Sequence, residues 1–247
     1  MKIRVIKNNM TEKSIINWDN VFSQSSTFKK NSPCEFAFVE NFIEKNFYEK
    51  LYNTYPKIDE TWFDGSNMTK SQFSRAWGGG KPTDVGIIPE NDSHLSKEWN
   101  EFKHYVESPE FIENIRNFSG VSVNKLKGFS FTAYGKGGFQ LPHIHNAGPS
   151  TLIMMIYFSK NWNHGDPGGT YILKDVDDES SIIFEPYNLD NSFVIFHDGP
   201  NAAHGVRQIT KNVERNAIQL YLEEKTDSGW TGHSDSSKEA KRELKDI

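Results

Sequence analysis

Apolar positions change their spacing along this chain. Cys34-Glu-Phe-Ala-Phe-Val39 alternates and is rich in β-favouring residues, which predicts a strand. Phe42, Ile43, Phe47 and Leu51 then fall near helical spacing, so residues 40–52 are expected to form an amphipathic helix ended by Pro56. Two further helices are expected over 94–106 and 108–118, the second with Ser108 as N-cap and Pro109 in its first turn. Between them, residues 57–93 carry Trp62, Trp77, Gly78-Gly-Gly80, Pro82 and Pro89 without a clear period. Such a stretch reads as a long irregular segment of the kind that serves as a lid.

From Val121 onward the period becomes two. Residues 127–134 set Phe129, Phe131 and Ala133 against Ser130, Thr132 and Tyr134. Residues 151–158 are apolar on both faces, as expected of an inner strand covered on both sides. Further short runs at 168–173, 181–184, 191–196, 205–209 and 215–222 bring the strands to about seven, separated by Gly, Asn, Asp and Pro clusters. The expected fold is mainly β with flanking helices, a β-sandwich or jelly roll. Residues 1–30 read as an N-terminal extension with an edge strand at Lys2–Ile6, and residues 31–225 as one domain, with helical support and lid over 40–120 and a β core over 121–225. From 226 the chain becomes a polar tail, either disordered or forming a short exposed helix over 236–245.

Composition narrows the classes. The 247 residues suffice for one large domain or two small ones, and 18 Phe, 9 Tyr and 6 Trp suit a β-rich core with helices around it. The net charge is −5 and no Lys/Arg run occurs, so no nucleic-acid partner is expected. The single cysteine, Cys34, excludes an intramolecular disulfide and a Cys-based zinc site, and is expected to be a small semi-buried residue. No signal-peptide core and no apolar run of membrane-spanning length is evident, so a soluble cytoplasmic protein with no membrane partner is expected. Oligomeric state stays open.

Candidate chemistry gathers in Tyr134-Gly-Lys-Gly-Gly-Phe-Gln-Leu-Pro-His143-Ile-His145. In a strand, residues at i and i+2 share a face, so His143 and His145 form half of a metal site, or else a polar strand end with two solvated imidazoles. A third ligand must come from a distant strand. His164 sits in a hairpin-like turn and is set aside, whereas His197 and His204 can each serve. Arg215 shares a face with Ala217, Gln219 and Tyr221, opposite the packing face of Ile218, Leu220 and Leu222. That arrangement either points its guanidinium into a cavity, where it can grip a carboxylate, or leaves it as a surface arginine at a strand end. Lys70, Arg75 and Lys81 could reach an anionic substrate, although a solvated loop accounts for them equally well. His94 and His104 read as surface or half-buried helix residues.

In order and spacing, Tyr134, Gly137-Gly138, His143-x-His145, Tyr157-Phe-Ser-Lys-Asn-Trp162, Gly168-Gly169, His204-Gly-Val206 and Arg215 resemble the Fe(II)/2-oxoglutarate-dependent oxygenases, in particular the prolyl-hydroxylase-like branch. The resemblance covers about residues 125–224 and, more loosely, 34–54. It implies a double-stranded β-helix (a cupin-like jelly roll) with iron at its open end. His143 and His204 become ligands by resemblance, Arg215 with Tyr157 the clamp for the distal carboxylate of 2-oxoglutarate, and Tyr134 a further hydrogen-bonding group there. His204 fits the pattern better than His197, although His197 with Arg207 has similar spacing. One departure stands out: His145 occupies the position where the family carries Asp. It is either the third ligand of a three-histidine site, a residue behind the ligands with water completing the sphere, or the mark of a non-catalytic relative. Halogenating relatives have a small residue there, and a histidine leaves little room for halide. The implied activity is O2-dependent hydroxylation of an unactivated C–H bond, with 2-oxoglutarate converted to succinate and CO2. The substrate is an amino acid, a peptide or a small metabolite. A 2-oxoglutarate-independent, cupin-type three-histidine dioxygenase and a non-catalytic binding module are the alternatives.

Overall fold

The computed structural model describes residues 14–81, 88–145 and 147–231. In chain order it contains α1 (Trp18–Ser23), α2 (Ser25–Lys30), β1 (Phe36–Glu40), α3 (Lys45–Asn53), β2 (Phe63–Asp64), β3 (Lys70–Ser71), β4 (Phe73–Ala76), α4 (Lys97–Glu107) and α5 (Pro109–Ser119). The β-rich half follows: β5 (Lys125–Tyr134), β6 (Phe139–His143), β7 (Thr151–Phe158), β8 (Thr170–Leu173), β9 (Ile182–Phe184), β10 (Asp190–His197), β11 (His204–Val206), β12 (Arg215–Glu223) and a terminal hairpin, β13 (Lys225–Thr226) with β14 (Gly229–Trp230). A seven-stranded sheet runs β1-β10-β7-β12-β5-β4-β2, and a five-stranded sheet runs β3-β6-β11-β8-β9. Neighbouring strands in both sheets pair antiparallel. This is the double-stranded β-helix that the strand pattern and the resemblance imply.

Strict alternation builds the two cores. Phe129, Phe131 and Ala133 of β5, Leu152, Met154 and Ile156 of β7 and Ile218, Leu220 and Leu222 of β12 face the helices, where they meet Trp99, Phe102, Phe111 and Phe118. The intervening residues, among them Tyr134, Ile153, Met155, Tyr157 and Ala217, face the smaller sheet and pack with Ile172 and Val206. All eight residues of β7 are buried, because both of its faces are covered. Each such apolar side chain contributes about 1.5–3 kcal/mol by leaving water.

Several boundaries differ from the sequence expectation. The first long helix starts at Lys45 rather than 40, because Asn41 adopts φ 52° and the Glu44 carboxylate caps the N–H groups of Asn46 and Phe47 at 2.9 and 3.3 Å. Ser96 caps α4 in the same way, at Trp99 N–H. Helix α5 has the expected Ser108 cap and closes on Gly120 at φ 78°. The segment expected to be irregular, 57–93, instead supplies β2 and β4 to the large sheet and β3 to the small one. It is clasped by a buried ion pair, Arg75 to Asp92 at 2.7 Å. Residues 14–30, which read as part of an extension, pack rather than trail: Ile16 bridges Ile43, and Val21 and Phe28 are fully buried. Strand β6 is not among the strands that the pattern predicts. Lys2–Ile6, residues 82–87 and the helix considered over 236–245 lie outside the described residues. Cys34 is buried, and desolvation, aided by Glu35, pushes its thiol up to about 12. No helix among the described residues is long and apolar enough to cross a membrane.

Candidate active site

Strands β6 and β11 pair with His143 directly opposite His204, so both imidazoles stand on one face at a cross-strand position. His145 follows two residues beyond His143. The ring centroids are 4.2 Å apart for His143 and His204, and 5.0 Å for His145 to either ring. One nitrogen from each of the three lies within 4.8 Å of the others.

Each ring has its Nδ1 engaged from behind. His143 Nδ1 donates to the Leu141 carbonyl at 3.1 Å, His204 Nδ1 to the Ala202 carbonyl at 2.7 Å, and His145 Nδ1 to both carboxylate oxygens of Asp198 at 2.9 and 3.1 Å. Those bonds put the lone pair of every ring on Nε2. The Gln140 amide nitrogen, 3.3 Å from His143 Nε2, fits the same tautomer. Burial first, then the neighbouring imidazoles, disfavour protonation: His143 falls to about 4, and His204 is also held well below the usual histidine range. Those two rings are therefore neutral at ordinary pH and offer their lone pairs on one side, next to the His145 ring. Borderline imidazole donors in a facial arrangement suit Fe(II), so the residues fit the metal the resemblance implies.

The histidines line a cavity of about 370 Å³ between the sheets. Thr132, Tyr134, Gln140 and Thr170 line it too, and Phe63, Lys70, Gln72 and Lys81 from the 57–93 segment form one wall. Its lining among the described residues contains two lysines and no carboxylate. Arg215 lies behind Thr132 and Thr170, fully buried. Its Nε donates to the Gly168 carbonyl at 3.0 Å, and Nη1 and Nη2 donate to the hydroxyls of Thr132 and Thr170 at 3.2 and 3.1 Å. The rings of Tyr134 and Tyr157 each lie 4.9 Å from the guanidinium carbon. No ion pair to this buried cation forms among the described residues, so the site carries a desolvated positive charge beneath one end of the cavity. The Tyr157 hydroxyl accepts the Thr170 N–H at 3.0 Å and, like Arg215, is not part of the cavity lining. The Tyr134 hydroxyl lies against the amide oxygens of Gln72 and Gln140, and burial pushes it up to about 12, so it remains a donor.

The other histidines among the described residues are elsewhere. His197 is held by Glu35 at 3.0 Å and by the Pro149 carbonyl at 2.7 Å, and Arg207 pairs with Glu185 at 2.6 Å, so that couple does not join the cluster. The His164 ring lies tilted against that of Tyr187, with centroids 5.6 Å apart, and His104 contacts Asn91. Lys70 and Lys81 reach the cavity wall, whereas Arg75 is consumed by Asp92. Asp198, Thr170 and Gln140 belong to the site without any signal in the sequence pattern. Alternation places Thr132 on the correct face but does not reveal its contact with Arg215.

Residues 129–223 match the 2OG-Fe(II) oxygenase superfamily. No curated protein matches the chain. Among solved structures, a Pseudomonas putida prolyl-4-hydroxylase is similar at 10% identity and TM-score 0.55, covering 85% of this chain and 100% of that one. A Trichoplax adhaerens prolyl hydroxylase in complex with a hypoxia inducible factor peptide fragment is similar at 15% identity and TM-score 0.54, covering 83% and 88%. HygX from Streptomyces hygroscopicus, with nickel and 2-oxoglutarate bound, is similar at 9% identity and TM-score 0.54, covering 81% and 85%. Those likenesses speak to the fold, and the match over residues 129–223 marks that segment as similar to the 2OG-Fe(II) oxygenase superfamily.

Proposed function

We propose that this protein hydroxylates an unactivated C–H bond of a small substrate or a single amino-acid side chain, with release of succinate and CO2. The observation that carries the reading is one cavity with three facially arranged imidazoles and, beneath one end, a buried guanidinium that has no ion-pair partner among the described residues. In this reading His143, His145 and His204 hold Fe(II). On the cavity side Thr170 and Tyr134 receive the distal carboxylate of 2-oxoglutarate, with Arg215 and Tyr157 directly behind them. When bound, iron with 2-oxoglutarate and O2 supplies the oxidising chemistry, which no side chain of this protein could provide.

The chain's own residues do the rest. Arg215 supplies a fixed positive charge that needs no reorganisation when a carboxylate arrives. Thr170 accepts from Arg215 and keeps its own O–H to donate into the cavity. The Tyr134 O–H is directed at the amide oxygens of Gln72 and Gln140 and would turn from them to meet an arriving carboxylate. The wall built from Phe63, Lys70, Gln72 and Lys81 closes one side of the cavity, which favours a compact substrate over a long peptide groove. Two lysines and no carboxylate on the described lining favour an anionic substrate.

A second reading, a three-histidine dioxygenase independent of 2-oxoglutarate, draws on the all-histidine donor set and on Arg215 lying behind the lining rather than on it. Turnover separates the two. Fe(II)-loaded protein supplied with labelled 2-oxoglutarate and O2 is expected to release labelled CO2 and succinate slowly without substrate. His204→Ala should abolish this release and His197→Ala should retain it. Absence of any release from the folded, iron-loaded wild type would reject 2-oxoglutarate dependence.

A further inference from the structure

The family pattern places an anionic ligand where this chain has His145. A neutral substitute leaves a divalent ion facing three neutral donors. The negative charge has not left the site. Asp198 follows the last residue of β10, and its side chain is completely buried. Both of its carboxylate oxygens lie within hydrogen-bond distance of His145 Nδ1, at 2.9 and 3.1 Å. Its backbone is pinned by N–H donation to the Thr151 carbonyl at 3.0 Å, and Oδ1 also accepts the Gly199 N–H at 3.0 Å. Asp198 does not line the cavity and is not among the residues whose donor atoms gather within 4.8 Å of one another.

We propose that Asp198 is a positioning residue that acts through His145 and restores, one imidazole further out, the charge that the ligand position lacks. This inference rests on the metal-site reading above. A carboxylate bound to Nδ1–H fixes the tautomer and ring plane of His145, and it raises the basicity of Nε2 toward a cation. His143 and His204 lean on neutral carbonyls, so His145 is the strongest donor of the three. Two sequence features that look independent, His at 145 and Asp at 198, are thus one arrangement for holding a divalent ion.

The test uses Co(II) as the probe, because it reports affinity by titration and ligand field by visible absorption. Asp198→Asn keeps a side chain of the same shape and removes the charge. It is expected to weaken Co(II) binding about 10- to 100-fold and to shift the visible bands, while circular dichroism of the metal-free protein is unchanged. His145→Asp moves the charge onto the ligand itself. In that background Asp198→Asn should leave Co(II) affinity unchanged or tighten it, since two neighbouring carboxylates repel. Equal Co(II) affinity of wild type and Asp198→Asn would overturn the role of Asp198 alone. So would the same loss in both backgrounds, which would mark a general structural effect. A wild-type protein that takes up no Co(II) would overturn the metal site and this inference together.

Discussion

Arg215→Met separates the two things this arginine does. In the metal-free, cofactor-free protein the guanidinium is fully buried with three neutral acceptors and no ion-pair partner among the described residues. Removing it relieves a desolvation cost of several kcal/mol and loses three charge-assisted hydrogen bonds worth about 1.5–3 kcal/mol each. The opposing contributions are of similar size, so urea denaturation should place the variant within about 2 kcal/mol of wild type. Binding behaves differently. A carboxylate held by Thr170 on the cavity side sits two hydrogen bonds from Nη2, a charge separation of about 5 Å. At an effective dielectric of about 20 the attraction is then about 3 kcal/mol, so 2-oxoglutarate should bind about 100-fold more weakly to Arg215→Met. Calorimetric titration of 2-oxoglutarate into Co(II)-loaded protein measures this directly. Affinity within about threefold of wild type would refute the assignment, and so would a variant that loses binding only because it has lost about 4 kcal/mol or more of stability.

Three further outcomes follow from the same structure. Gly205→Ala would place its Cβ 2.7 Å from the Gln140 carbonyl oxygen and closer still to the Tyr171 hydroxyl, forcing β11 away from β6; Co(II) affinity should fall because His204 parts from His143, and an unchanged titration would contradict the pairing of these two strands. The folded pKa of His143, about 4, lies below its ordinary 6.5, so the unfolded chain takes up the proton first: stability of the metal-free protein should be full above pH 6.5 and decline as pH falls toward 4, read as the urea midpoint across that range. Asp92→Ala strands the buried Arg75 guanidinium and should cost about 3–5 kcal/mol in urea denaturation, whereas a loss below about 1 kcal/mol would show that the clasp of the 57–93 segment is not an energetic one.

Much of the fold is legible in the sequence because alternation survives translation into space. Phe129, Phe131 and Ala133 against Ser130, Thr132 and Tyr134 assign both faces of β5 correctly, and a run apolar on both faces locates β7 between two layers. Strand β6 is hidden by Gly137, Gly138 and Pro142, which read locally as a loop; its pairing with β3 and β11 is a tertiary event. Residues 14–30 look weakly patterned because two short helices bury only Val21 and Phe28.

The cluster obeys the same rule. His143, His145, His204 and Arg215 can be singled out because residue type and chain order carry the signal. Their supports cannot. Asp198 is 53 residues from His145, in a turn whose local sequence suggests nothing but a turn. Thr170 gains its part only from the Arg215 side chain, which arrives from β12. Arg215 itself is expected from its strand face to stand on the cavity wall, and instead stands one hydroxyl behind it.

If His143, His145 and His204 hold Fe(II) and Arg215 draws 2-oxoglutarate into the same cavity, as proposed, the two together should give a spectroscopic signature that neither gives alone. Anaerobic titration of the Fe(II)-loaded protein with 2-oxoglutarate, followed by visible absorption, reads it. A new visible band should appear with wild type and His197→Ala, be absent with His204→Ala, and require much higher 2-oxoglutarate with Arg215→Met. Folded, iron-loaded wild type that shows no spectral change at saturating 2-oxoglutarate would contradict it.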